Sequence, residues 1–358
     1  MSSSGRARVE RLLELSRALL GEQRQALSGR WHATTGLSPE GVAWALDHCL
    51  ERAPSAAEIA ALVATVPSAR RAHVILPAQV FVAAQRALAL ALASAPQVFV
   101  RPSRRDPVLA QALAARGEGL FECVAELSVQ PGDHVWAYGA DLTLSALRAQ
   151  LPAGAVLHAH GSGFGVAVVE LTQAARLKDA ARAIAEDVLC FDQRGCLSPR
   201  LVLALGQESQ AHSFADTLAA ALVEAGRRVP RGALSADERA EESWYRQCLA
   251  CFAPILDSGH GSVSVRALEL SLAASQGLAA LLLPPAGRHL QIVPVERLDP
   301  ALRGLERWLT SVGCATPELE ARARALLPRA RVVPLGRMQS PAFDGPVDLR
   351  ADPGGELI

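Results

Sequence analysis

The chain has 358 residues, half of them hydrophobic, and its 36 acidic and 36 basic side chains give a formal net charge of zero. This length buries a large core and points to two domains, while the charge balance excludes a global basic field for nucleic acid and an acidic disordered tail. Asn is absent and Lys178 is the sole lysine, so a site that needs a side-chain amide or a long cation must use Gln or Arg.

Val9, Leu12, Leu13, Ala18 and Leu20 form a helical stripe. Ser38-Pro39-Glu40 offers an N-cap followed by proline at the first helical position. Ser55 and Glu58 have capping-box spacing. Residues 1–70 therefore read as a helical segment, either a cap on the next domain or an oligomer surface. The period then changes. Residues 73–76 predict a strand, 79–94 a helix, 97–100 a second strand, and a helix begins at Pro107. Residues 134–138 predict a third strand, followed by a helix from Asp141, and 156–158 and 166–169 a fourth and fifth. Alternating strand and helix predicts a parallel sheet wound with helices. A helix over 178–190 leads into a loop that carries Cys196. Beyond it, 201–205, 279–283 and 290–295 read as strands, with helical patterns at 211–225 and 240–252, which makes a second α/β domain. Residues 226–235, rich in Gly, Arg and Pro, form the best loop candidate.

The apolar stretch 74–100 is broken by Pro77, Gln79, Gln85, Arg86 and Pro96, so no integral membrane segment is expected. The N-terminus is charged and amphipathic, unlike a signal sequence, and the seven cysteines are dispersed without a paired framework. This predicts a reducing, cytoplasmic setting. Cys248 and Cys251 have redox or zinc spacing but lie in an apolar helical run, which predicts two buried helix thiols. Cys49, Cys123, Cys190 and Cys314 read as packing residues, and the histidines form no metal-ligand pattern. Gly161-Ser162-Gly163-Phe164-Gly165 lacks the following helix that a dinucleotide fingerprint requires.

Residues 191–200 read Phe-Asp-Gln-Arg-Gly-Cys-Leu-Ser-Pro-Arg. A single thiol after a glycine, between a helix and an apolar strand, suits a nucleophile at a domain boundary. The segment resembles the nucleophile motif of LuxC-type acyl-CoA reductases, a branch of the aldehyde dehydrogenase superfamily. Further matches follow in order: Leu76-Pro77-Ala78-Gln79-Val80-Phe81, Val100-Arg101-Pro102-Ser103, Arg105-Asp106-Pro107, Tyr138-Gly139-Ala140-Asp141-Leu142-Thr143, Gly287-Arg288 with Gln291-Ile292-Val293-Pro294, and Gly336-Arg337-Met338-Gln339-Ser340-Pro341. Their order and spacing together carry the resemblance.

The resemblance implies an aldehyde dehydrogenase-like α/β fold with a Rossmann-type cofactor domain, an α/β catalytic domain and a helical N-terminal segment. The expected limits are 1–70 for the helical segment, 71–189 for the cofactor domain, 190–305 for the catalytic domain, and 306–358 for a segment returning towards the cofactor domain. It implies NADPH-dependent reduction of a fatty acyl-CoA to the aldehyde through a thioester on Cys196. Gly139 and Asp141 match a cofactor segment. Arg101 and Ser103 lie in the stretch that resembles the relatives' Lys-Pro-Ser cofactor strand, Arg104 stands where many NAD-preferring relatives have Glu, and the two guanidinium groups suit a 2′-phosphate.

Three departures bear on the chemistry. Gln79 stands where relatives carry an oxyanion-binding Asn; its amide either donates to the oxyanion or caps the following helix. Residues 158–163 contain no carboxylate where aldehyde-oxidising relatives carry their general base, which favours reduction over oxidation. His160 in that segment is either an acid–base residue or a strand-end histidine bonded to backbone. Residues 344–348 replace the tail motif of LuxC-type chains, so an alternative is a reductase-like subunit with impaired turnover and an acyl-holding or assembly role. A cysteine hydrolase using His160 or His260 leaves the first-domain matches unexplained. The partners expected are acyl-CoA, further copies of the chain in a homo-oligomer, and an acyl-activating or acyl-transferring protein, with no nucleic acid.

Overall fold

The computed structural model describes residues 4–271 and 276–350. Its N-terminal segment is three helices: α1 (Gly5–Thr35), α2 (Pro39–His48) and α3 (Ala56–Thr65). Ser4, Ser38 and Ser55 each cap a helix through the side chain, and Ser55 with Glu58 completes the capping box. The α1 stripe Val9, Leu12, Leu19, Leu27 and Trp31 is buried against α4 (Ala83–Ser94) and α5 (Val108–Arg116). The segment is therefore a cover on the first sheet.

That sheet contains β1 (Arg71–Ile75), β2 (Gln97–Arg101), β3 (Glu122–Cys123), β4 (His134–Tyr138) and β5 (Val156–His160) in the order β3-β2-β1-β4-β5, all parallel. The order reverses between β1 and β4, and the crevice beyond their carboxyl ends is where such sheets bind ligands. Helix α6 (Asp141–Gln150) follows β4. Helix α4 starts at Ala83, later than the sequence pattern suggests, because residues 77–82 form a turn that lines a cavity.

The second sheet has seven strands in the order β12-β11-β6-β7-β10-β9-β8. They are β6 (Phe164–Glu170), β7 (Pro199–Leu205), β8 (Ile255–Asp257), β9 (Ser262–Val265), β10 (His289–Val295), β11 (Leu309–Cys314) and β12 (Arg331–Pro334), parallel except for β8. Helices α7 (Ala174–Leu189), α8 (Glu208–Arg228), α9 (Ala236–Ala250), α10 (Leu298–Leu305) and α11 (Pro317–Leu326) surround it.

This pairing moves the domain boundary. Strand β6 was expected in the cofactor domain, with the change at 189/190, yet it pairs with β7 and β11, so the chain changes sheet between His160 and Phe164. The physical reason is burial on both faces: Ala167 and Val169 enter one core cluster, Phe164, Val166 and Val168 another. Residues 306–334 likewise contribute β11 and β12 to the second sheet, and the expected C-terminal segment extends past the described residues at 351–358. The strand expected at 279–283 is instead a 3₁₀ turn at Leu278–Leu281. The neighbour of β10 is β9, whose alternating Ser262 and Ser264 are buried and do not read as apolar. Helix α8 runs to Arg228 and so takes the first part of the loop expected at 226–235.

A buried arginine joins these parts. Arg86 in α4 bonds the Glu51 carboxylate at 2.7 and 2.9 Å, and the carbonyls of Pro341, Ala342 and Gly345 at 2.8–2.9 Å. It therefore ties the first domain to the tail beyond β12. Among the described residues, no helix is long and apolar enough to cross a membrane.

Candidate active site

The loop that carries Cys196, the expected nucleophile, begins with a strained turn. Phe191, Asp192 and Gln193 have φ of 55, 50 and 66°, three consecutive non-glycine residues in the left-handed region. Each such residue costs on the order of 1 kcal/mol or more, so the turn persists only where its surroundings enforce it. The motif residues provide that enforcement. The buried Asp192 carboxylate pairs with Arg288 at 2.6 Å and accepts from the Gly232 N–H at 3.0 Å. The Gln193 amide donates to the carbonyls of Pro199 and His289 and accepts from the His289 N–H. Phe191 meets Phe81 edge-on, and Phe81 stacks on Trp31. Asp192 and Gln193, part of the expected nucleophile motif, are thus fasteners of the loop.

Cys196 follows, half-buried, in the wall of a cavity of about 550 Å³ between the two sheets. The Thr310 hydroxyl donates to the Cys196 carbonyl. Downstream, Ser198 accepts from the Gln339 amide at 3.0 Å, which brings the tail against the loop. A Cβ on Gly165 would collide with the Leu197 carbonyl, so this glycine lets β6 pass close behind the nucleophile. Burial pushes the Cys196 thiol up to about 11; the Asp348 carboxylate raises it further, and Arg350, its own N–H and Thr310 oppose the rise.

Gln79 and His160 line the same cavity as Cys196. Gln79 is exposed and makes no protein hydrogen bond among the described residues, and α4 has no side-chain cap, so capping is not its role. The strand-end description fits the His160 backbone, whose carbonyl accepts from the Gly139 N–H at 3.2 Å. Its ring stacks on Tyr138 at 4.5 Å. Burial raises the Tyr138 hydroxyl, which therefore stays protonated beside the thiol.

The five expected cofactor residues are distributed over three cavities. Arg101, Ser103 and Arg104 line one of about 800 Å³ at the end of β2. Gly139 lines the thiol's cavity, and Leu76 is common to both. Asp141 lies in a third cavity, of about 420 Å³, where its carboxylate accepts from the Ser162 N–H at 2.7 Å. Asp141 therefore orders the 161–163 turn.

Asp348 and Arg350 escaped the sequence reading. Asp348 reaches the thiol's cavity from the tail, where the sequence shows only divergence from a family pattern. It restores a carboxylate near the nucleophile, but Arg350 engages both its oxygens, at 2.9 and 2.7 Å. Glu51, also in this wall, is tied to Arg86. Both carboxylates are therefore held as ion pairs. Elsewhere the cysteines divide: Cys49, Cys190 and Cys314 are buried, Cys123 and Cys248 half-buried, and Cys251 exposed. Neither Cys248 nor Cys251 is thus the fully buried helix thiol expected, and Cys251 caps the end of α9. Among the described residues, no group of three or more His, Cys, Asp or Glu side chains is placed to hold a metal ion.

Known structures share this architecture. An oxidoreductase from Marinobacter aquaeolei superposes with a TM-score of 0.71 at 14% identity, over 96% of this chain and 80% of its own. Lactaldehyde dehydrogenase from Escherichia coli gives 0.68 at 16% identity, over 93% and 79%. Gamma-glutamyl-gamma-aminobutyraldehyde dehydrogenase from Burkholderia cenocepacia gives 0.67 at 15%, over 92% and 76%. No curated protein matches in sequence. The model of the acyl-CoA reductase (LuxC) family matches residues 121–350, a span that includes the Cys196 loop, the 161–163 turn and the tail with Arg350, but not the 77–82 turn. With the aldehyde dehydrogenase fold, the chain belongs to the LuxC acyl-CoA reductase family.

Proposed function

We propose that the protein reduces fatty acyl-CoA thioesters to aldehydes with NADPH, through an acyl thioester on Cys196. The observation that carries this reading is the cavity that holds Cys196, Gln79 and His160 together beyond the ends of β1 and β4. Its wall includes Leu76, Val80, Val82, Phe191 and Leu197, an apolar surface suited to an aliphatic chain.

The residues present fit a nicotinamide dinucleotide phosphate. Arg101 and Arg104 have no carboxylate partner among the described residues and share a cavity that adjoins the thiol's through Leu76. Their guanidinium groups suit a 2′-phosphate, and the N-terminus of α6 behind Gly139 suits a diphosphate. When bound, the nicotinamide supplies a hydride.

The chain's own groups do the rest. Burial keeps the thiol protonated, so His160 takes its proton as the substrate arrives. The Cys196 sulfur bonds to the thioester carbonyl carbon, the carbon–sulfur bond to CoA breaks, and CoA leaves as the thiol with the proton that His160 took. The Gln79 amide donates to the oxygen that becomes negative in each tetrahedral intermediate. After hydride addition the second intermediate expels the Cys196 thiolate and the aldehyde departs. Asp348 and Glu51 are neutralised by arginines and do not activate water, which favours reduction over hydrolysis.

The test is NADPH oxidation with an acyl-CoA series, wild type beside Cys196→Ala. Loss of turnover in the variant is expected, and a wild-type rate would overturn the reading. Equal kcat/KM for NADPH and NADH would reject the cofactor preference. Radiolabelled acyl-CoA separates the impaired-subunit alternative: label on Cys196 without aldehyde supports acyl holding.

A further inference from the structure

The third cavity is cationic, and although Asp141 at the start of α6 lines it, the reading above gives its arginines no role. It lies between the 161–162 turn of the first domain and α10 with its following turn in the second. Arg303, Arg307 and Arg329 line it, all exposed and none with a carboxylate partner among the described residues. Of the three acids in the same wall, Asp348 is neutralised by Arg350, Asp141 is engaged by the Ser162 N–H, and Glu306 is exposed. Three unpaired guanidinium groups around about 420 Å³ suit an anion with several phosphate oxygens.

Its position narrows the ligand. Gly161, Ser162 and Asp348 line both this cavity and that of Cys196, so a thin partition separates them. Arg350 braces the partition through the carbonyls of Gly161 and Ser162. The cavity with Arg101 and Arg104 opens at the end of β2, whereas this one opens beyond β4 and β5, on the other side of β1. The nucleophile's cavity is therefore flanked by two cationic cavities on opposite sides. A reductase of an acyl-CoA must handle two phosphate-rich molecules. CoA has its phosphates at one end and its sulfur at the other, which matches an anion site one partition away from a thiol.

We propose that Arg303, Arg307 and Arg329 form the binding site for the phosphorylated head of the CoA thioester, separate from the dinucleotide's site. The assignment rests on the acyl-CoA reading. It places the pantetheine arm across the partition to reach Cys196, and it makes free CoA and NADPH non-competing ligands.

Binding measurements test this without turnover. Trp308 lines the cavity with Arg307 5.7 Å from its ring, so its fluorescence reports occupancy beside calorimetric titration. The ligands are CoA, dephospho-CoA, pantetheine and NADPH, on wild type and on an Arg303→Glu/Arg307→Glu variant. CoA is expected to bind with NADPH present, dephospho-CoA more weakly, and pantetheine at least tenfold more weakly still. The variant raises the CoA Kd at least tenfold and moves that of NADPH less than twofold. Mutual exclusion of CoA and NADPH, or an equal loss of both in the variant, assigns the cavity to the dinucleotide and overturns the proposal. Unchanged CoA affinity overturns it as well. Arginine-dependent CoA binding in a protein that shows no reduction would sustain this site and reject the reductase activity.

Discussion

Cys196 combines a nucleophile's position with a thiol that burial and Asp348 hold protonated. Alkylation of Cys196 by iodoacetamide, followed by mass spectrometry, is therefore expected to keep accelerating up to pH near 11. Asp348→Asn removes the carboxylate that disfavours the thiolate, and the midpoint moves down; an unmoved midpoint would show that Asp348 does not act on the thiol. Gln79 gives a second expectation. Its side chain makes no protein hydrogen bond among the described residues, so Gln79→Ala leaves the melting temperature in place. If the amide meets the oxyanion, kcat falls by about 10²–10³. Undiminished kcat in Gln79→Ala would put the oxyanion on backbone N–H groups alone. Cys196 was legible because its neighbours form a motif. Asp348 was not, since it has no motif and enters the site only when the tail folds back.

At the scale of elements, the nucleophile loop depends on side chains far away in sequence. Asp192 and Arg288 form a pair with both side chains 1% exposed. Breaking one partner of such a pair costs about 3–5 kcal/mol because a charge is left buried. Asp192→Asn should thus lower thermal stability by that order, measured by calorimetry, and loosen the loop so that Cys196 alkylates faster. A variant as stable as wild type would mean that the strained turn holds itself. Helix starts with polar caps, at Ser38 and Ser55, were legible because a cap is local chemistry. The start of α4 was not, because its N-cap is Val82, without a side-chain bond, and the preceding turn is dictated by the cavity. Strand β9 escaped notice for a related reason: its buried serines are satisfied or packed only in the assembled sheet.

For the whole molecule, acid sensitivity follows from carboxylates that the fold holds ionised. Glu242 in α9 is drawn down to about 2, chiefly by His289, with Arg231 assisting against burial. His289 belongs to β10, and its Nε2 lies 3.0 Å from the Glu242 carboxylate. A carboxylate depressed in the folded state adds stability that is present above its unfolded value, near 4.5, and lost as pH falls towards 2. Glu242→Gln should flatten this part of the pH–stability curve, followed by chemical denaturation at several pH values. An unchanged slope would show that the pair does not couple to folding.

The fold class, and Cys196 as the candidate nucleophile, were already legible in the sequence. Both rest on local order: hydrophobic period identifies strands and helices, and the residues around a reactive thiol are contiguous. Tertiary structure decided the allegiance of β6, the fastening role of Asp192 and Gln193, and the convergence of Asp348 and three arginines around the site. These depend on which distant segments become neighbours. Pairing of buried strands and closure of the tail by Arg86 are settled by the burial of the assembled core and the satisfaction of buried charge, neither of which is written in any single stretch of chain.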